Sequence, residues 1–347
     1  MPHFLRGLLS AAVAVAALVP ATAANAGETH RVLPEHVFSP YFQSYTGANP
    51  AAVSRASGAR YLTMAFLQTQ ATGSCDVLWN GDPAKPVAWS TFGPDIARIR
   101  ATGGDVVPSF GGYGADSTAT EIADSCTDVP RIAAAYQKVI ATYGATRLDM
   151  DIEDQSLNNL AAIDRRNQAI HLVQQWAARQ HRPLQIVYTL PSTPHGLEPN
   201  AVNVLRSAQR YGARVDIVNI MTFDYYDDQP HDMAADTKTA ARGLLDTLRQ
   251  LYPRRSTAEL WRMVGVTEML GIDDYGSGGE TGPLEILTLA GARDVTRWAA
   301  EHHIGELSFW ALGRDNGGCP GVAGSDDCSG VAQAPYQYTH IMQAFAG

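Results

Sequence analysis

Eight short β-rich apolar runs alternate with helix-compatible stretches along this 347-residue chain, and that alternation restricts the fold more than any other feature. The runs span 38–45, 61–67, 105–110, 147–153, 184–190, 215–223, 262–270 and 306–312. Between them lie helical patterns at 94–101, 128–143, 160–180, 201–211, 233–251 and 285–302, several followed by a glycine (Gly103, Gly144, Gly212, Gly305) suited to a helix stop. Repeated strand–helix units predict a parallel sheet covered by helices, and eight of them predict an α/β fold of the TIM (β/α)8 barrel type. An open doubly wound sheet is the alternative, but no Gly-rich dinucleotide turn follows any run. No internal repeat, low-complexity linker or appended module interrupts the order, so residues 27–347 are expected to form a single domain.

The fourth run carries the chemistry. Side chains alternate along a strand, so Asp149, Asp151 and Glu153 point one way and Leu148, Met150 and Ile152 the other. Carboxylates this close cannot all ionise cheaply, so at least one is expected to hold its proton to higher pH, as a general acid needs near neutrality. A solvated strand face or a metal-binding loop could show the same acidic spacing. The large apolar residues between the acids favour a strand buried on both faces, whereas a calcium loop would call for Gly and Asn there. In a TIM barrel the reactive groups stand at the carboxyl ends of the strands, where Glu153 falls.

The chain opens like a secretory leader: Arg6, an apolar run over 8–19, and Ala24-Asn25-Ala26 as a small-x-small cleavage site. That run is too short for a membrane span. The expectation is a signal peptide over 1–26 and a secreted, extracellular, monomeric product. Lys and Arg number 26 against 35 Asp and Glu, a net charge of −9, which disfavours nucleic acid or an anionic membrane as partner and suits a neutral substrate. Four cysteines in an exported chain predict two disulfides. Three pairings are open; Cys75–Cys126 with Cys319–Cys328 is preferred because Cys319 and Cys328 flank a Gly-rich loop. No Cys-x-x-Cys or His cluster supports zinc, and neither metal nor cofactor is expected.

Several motifs together resemble glycoside hydrolase family 18, the chitinases and endo-β-N-acetylglucosaminidases. The family's fourth-strand signature, Asp-Gly-x-Asp-x-Asp-x-Glu, is matched at its last three acidic positions by Asp149, Asp151 and Glu153, and departs at the first two, where Thr146 and Arg147 stand. Ser109-Phe110-Gly111-Gly112 resembles the family's Ser-x-Gly-Gly, Met221-Thr222-Phe223-Asp224 its Met-x-Tyr-Asp, and Trp310 ends the eighth run. Tyr188-Thr189-Leu190-Pro191 and Val218-Asn219-Ile220-Met221 are most similar to a bacterial single-domain chitinase branch, so the resemblance covers about 36–345.

The resemblance implies that Glu153 protonates the glycosidic oxygen while the substrate's own N-acetyl carbonyl attacks the anomeric carbon, with retention. Asp151 would orient the acetamido group and Asp149 would share a proton with it. Phe223 replaces the family's tyrosine, so Tyr225, expected two residues further along the same strand face, becomes the candidate hydroxyl. Trp310 would floor the sugar site, Asp224 bond the sugar and Met221 line the pocket. Ser109 belongs to the same binding set, and Gly111 and Gly112 would let backbone approach the acidic strand. The implied substrate is chitin or another N-acetylglucosamine oligosaccharide. An endo-β-N-acetylglucosaminidase on N-glycans and a non-catalytic chitin-binding lectin of the same fold are the alternatives. Tyr41, Phe42, Tyr113, Trp79, Tyr226 and Tyr275, near strand ends, are expected to wall a groove for a linear chain.

Overall fold

The computed structural model describes residues 32–346 apart from Gly276 and Glu280, so the expected leader, 1–26, lies outside the described residues. Eight parallel staves close into a TIM barrel. The first stave is in two pieces, Val37–Phe38 and Tyr41–Gln43, and the others are Tyr61–Thr69, Asp105–Gly111, Arg147–Asp151, Gln185–Pro191, Ile217–Met221, Val264–Met269 and Glu306–Trp310. Closure runs through the split first stave. Val37 and Phe38 pair with Glu306 and Leu307 of the eighth, while Tyr41–Gln43 pair with Thr63–Ala65 of the second. Pro40, which has no N–H to give a ladder, sits at the change of partner. The staves are buried along nearly their whole length, in keeping with apolar runs that carry few polar positions.

A helix follows each stave. Val129–Tyr143 shows why these sequences fold locally: the Asp128 side chain accepts the Arg131 N–H at 3.1 Å, and Gly144 closes the helix in the left-handed region. Ile132, Tyr136, Val139, Ile140 and Tyr143 recur at helical spacing and are all buried, each contributing roughly 1.5–3 kcal/mol over an exposed position. The helix expected over 94–101 begins earlier and runs Trp89–Ala101 with Pro94 inside it. The one expected from 285 begins at Leu289, because Ile286–Leu287 instead pair antiparallel with Gly271–Ile272 in a small hairpin above the seventh stave. His303, at φ 53°, caps that helix. Gly305 is needed for close approach instead, since a Cβ there would lie 2.1 Å from the Arg262 carbonyl. Val77–Trp79, a strand without an expected counterpart, pairs antiparallel with the second stave.

Cysteines pair as Cys75–Cys126 and Cys319–Cys328. On a chain-entropy account, closing loops of 51 and 9 residues contributes about 4 and about 3 kcal/mol. No helix among the described residues is long and apolar enough to cross a membrane.

Candidate active site

Arg147, Asp149 and Asp151 alternate along the interior face of the fourth stave and differ sharply in what surrounds them. Arg147, at the barrel floor, donates to Glu306 at 2.8 Å and to Gln185 at 2.9 and 3.0 Å. Burial lifts Glu306 to about 7 despite that guanidinium. Asp149, one step higher, accepts hydroxyls from Ser109 at 2.6 Å, Thr189 at 2.7 Å and Tyr41 at 3.0 Å. Asn219 extends this network by donating to Thr189 and Thr267. Burial raises the Asp149 pKa while the three hydroxyls pull it back.

Asp151 has no such support: its Oδ1 is buried without a hydrogen-bond partner among the described residues. Burial, then the charges of Glu153, Asp149 and Asp116, hold it well above the usual carboxylate range. Asp149 and Asp151 therefore titrate as a coupled pair, with the hydroxyls favouring charge on Asp149 and nothing among the described residues favouring it on Asp151 Oδ1. The third stave presses close here. Gly111 has φ 99°, and a Cβ on it would meet the Asp151 carbonyl at 2.0 Å, so only glycine fits. Gly112 donates its N–H to that carbonyl at 3.0 Å, and its bare α-carbon makes room for the Phe66 ring.

Glu153 lies two residues beyond the end of the fourth stave, in extended backbone. Burial pushes its carboxyl up to about 7, the Tyr113 N–H draws it down, and the charges of Asp154 and Asp274 add to the rise. It opens, with Asp151, onto a cleft of about 740 Å³ at the carboxyl ends of the staves. Trp310 lies there stacked on Phe66, 5.6 Å between centroids and 9° between planes, with Tyr41 edging the Trp310 ring at 5.7 Å. Such a surface offers a flat apolar face to a sugar ring. Met221 and Gly111 line the cleft, as does Asp224, raised to about 8 by burial and then by Asp274 and Glu285. Ser109 lies beneath, serving Asp149 rather than the cleft wall.

Tyr225 departs from expectation. The sixth stave ends at Met221, and Asp224 turns the chain at φ 52°, so strand alternation stops before residues 223 and 225 can share a face. Phe223 lines the cleft. Tyr225 packs outward, 4.9 Å from the His231 ring, and its hydroxyl is buried without a partner among the described residues. Tyr226 takes the rim instead, 54% exposed, across from Tyr113 at 66%. Of the other aromatics expected in the groove only Tyr41 lines it; Phe42 and Trp79 belong to the core, and Tyr275 is buried with its hydroxyl on Asp228 at 2.5 Å. Phe66, Tyr45, Met269 and Asp326 line the cleft although no motif marks them. Among the described residues no group of His, Cys, Asp and Glu is arranged to hold a metal ion.

Residues 37–285 match the model of the Glycosyl hydrolases family 18. The catalytic domain of a hyperthermophilic chitinase from Pyrococcus furiosus is similar in structure, with TM-score 0.75 and 30% identity, covering 91% of this chain and 96% of that one. A probable bifunctional chitinase/lysozyme of Escherichia coli is 29% identical over 337 residues, 93% of this chain and 36% of its own length. Endochitinase 11 of Metarhizium anisopliae is 28% identical over 305 residues, 85% of this chain and 55% of its own. The chain spans about a third to about half the length of these two curated relatives.

Proposed function

Because the chain belongs to the glycosyl hydrolases of family 18, we propose that it is a chitinase, hydrolysing β-1,4 bonds between N-acetylglucosamine units with retention and with help from the substrate's own acetamido group. The observation that carries this reading is the division of labour among the three acids. Glu153, raised to about 7 by burial and open to the cleft, keeps a proton for the leaving oxygen up to near-neutral pH. Asp151 offers a buried oxygen that lacks a donor, and an acetamido N–H would supply one. Holding that N–H turns the acetamido carbonyl toward the anomeric carbon, and charge on the Asp pair offsets the positive charge of the cyclised intermediate. Asp149, anchored by three hydroxyls, holds the pair in place. Trp310 and Phe66 would floor the sugar undergoing cleavage, with Asp224 and Met221 at its side.

Export from the cell is part of the proposal. Its supports are the leader-like residues 1–26 and two disulfides, which form and persist chiefly in oxidising compartments. N-terminal sequencing of protein recovered from the medium should begin at Gly27.

One assay tests the activity. The protein is incubated with N-acetylchitohexaose and, separately, with a high-mannose glycopeptide, and products are identified by mass. Cleavage of the hexaose to N-acetylated fragments is expected, and Glu153→Gln should lower turnover by about 10²–10⁴-fold while leaving oligosaccharide affinity within a few-fold. Cleavage of the glycopeptide alone would assign the chain to N-glycan cores, and binding without cleavage of either would make it a lectin.

A further inference from the structure

The ladder of the fourth stave ends at Asp151, and the Ile152 N–H still reaches the Thr189 carbonyl at 3.0 Å. One residue later the Glu153 N–H has no strand partner. It donates instead to Oδ2 of Asp116, a residue no motif marks. Asp116 sits on the short helix Tyr113–Ser117 that follows Gly111-Gly112, with its own N–H on the Gly112 carbonyl at 3.1 Å. At the opposite end of the same helix, the Tyr113 N–H lies near enough to the Glu153 carboxyl to draw its pKa down. The helix thus receives the Glu153 backbone N–H on its own Asp116 side chain while its first N–H bears electrostatically on the Glu153 carboxyl. Together with the Gly112 N–H on the Asp151 carbonyl, it fixes the end of the acidic strand from the third-stave loop.

Asp116 is 1% exposed, and its Oδ1 is buried without a partner among the described residues. A buried acid is a costly way to accept one amide proton. Its placement makes sense if the geometry of Glu153 requires it. Burial, then the charges of Glu121 and Glu153, hold its pKa well above the usual range, while the Glu153 N–H it accepts draws it down.

We infer that Asp116 is a positioning residue for Glu153, holding the backbone of the acid so that its carboxyl meets the glycosidic oxygen in line. The inference rests on the hydrolytic reading above. A displacement of about 1 Å at a reacting group can cost about 10²-fold in rate. Asp116→Ala and Asp116→Leu both remove the acceptor, the second without leaving a cavity, whereas Asp116→Asn keeps a side-chain oxygen in its place.

The experiment has two readouts on all four proteins: kcat and KM with N-acetylchitohexaose, and hydrogen exchange at the Glu153 amide. Expected for Ala and Leu are a kcat lowered by about 30–100-fold with KM within about threefold, and a Glu153 amide exchanging at least about tenfold faster. Asn should keep at least about a third of wild-type kcat and its amide protection. Unchanged amide protection in both acceptor-less variants would overturn the inference, as would an Asn variant as slow as they are. Should wild type fail to cleave the hexaose, the hydrolytic reading falls, and the Glu153 amide still decides whether Asp116 holds that backbone.

Discussion

At the scale of single residues, Tyr225→Phe discriminates between two placements of one hydroxyl. A tyrosine serving the acetamido group would be missed in turnover; one buried without a partner against His231 would not. The expected result is kcat/KM on chitin oligosaccharides within about twofold of wild type and a melting temperature unchanged or slightly raised, since an unpaired buried hydroxyl is lost. A loss beyond about tenfold would return Tyr225 to the site. The acids themselves were readable, because a period of two between Asp149, Asp151 and Glu153 needs only strand geometry. Tyr225 was misplaced because that period was carried past Met221, where the left-handed backbone of Asp224 ends it. Asp116 left no signal at all: its contact with Glu153 joins residues 37 apart through a turn whose shape depends on Gly111 and Gly112.

At the scale of elements, the fourth stave is held at both ends by different means. Its floor end carries Arg147, buried and bound to Glu306 and Gln185 of two other staves. The family pattern has glycine at this position; here an arginine pins the fourth and eighth staves together across the barrel. Arg147→Ala would strand the Glu306 carboxyl, and unfolding in urea should show a loss of about 3–5 kcal/mol. The double variant Arg147→Met with Glu306→Met removes both charges and should recover most of it. A single variant losing under about 1 kcal/mol would show that the floor pair does not hold the staves. Boundaries of elements were less legible than their order. Pro94 looked like a helix start but lies inside one, and Ile286–Leu287 read as helix until the hairpin with Gly271–Ile272 claimed their backbone.

For the molecule as a whole, the buried acids set how stability follows pH. Glu153 and Glu306 rise from 4.5 to about 7, Asp224 from 3.8 to about 8, Glu268 from 4.5 to about 8 and Asp273 from 3.8 to about 9, each mainly through burial. The folded state keeps protons that the unfolded chain releases from about pH 4 upward, so the unfolded chain binds fewer and stability falls as pH rises. The advantage is complete below about 4 and is lost as pH climbs through about 7 to about 9. His231, raised by Asp227 and Asp236 despite its burial, adds to the same trend. Opposing groups, such as Asp164, Asp227 and Asp294, are held low but lie near the surface, where solvent screening weakens them. Thermal melts should therefore give a Tm at pH 9 about 5 °C or more below that at pH 5. A flat or rising profile over that range would mean that these carboxyls are ionised in the folded state.

The order of strand and helix, the acidic ladder and its inward face, and the glycine pair beside it were determined by the sequence alone, because each depends on side-chain period and backbone sterics within a few residues. Tertiary structure decided which acid lacks a partner, which tyrosine reaches the cleft, and that Asp116 meets Glu153. Those outcomes depend on where eight staves and their loops converge, and a loop's direction is set by contacts made far away in the chain.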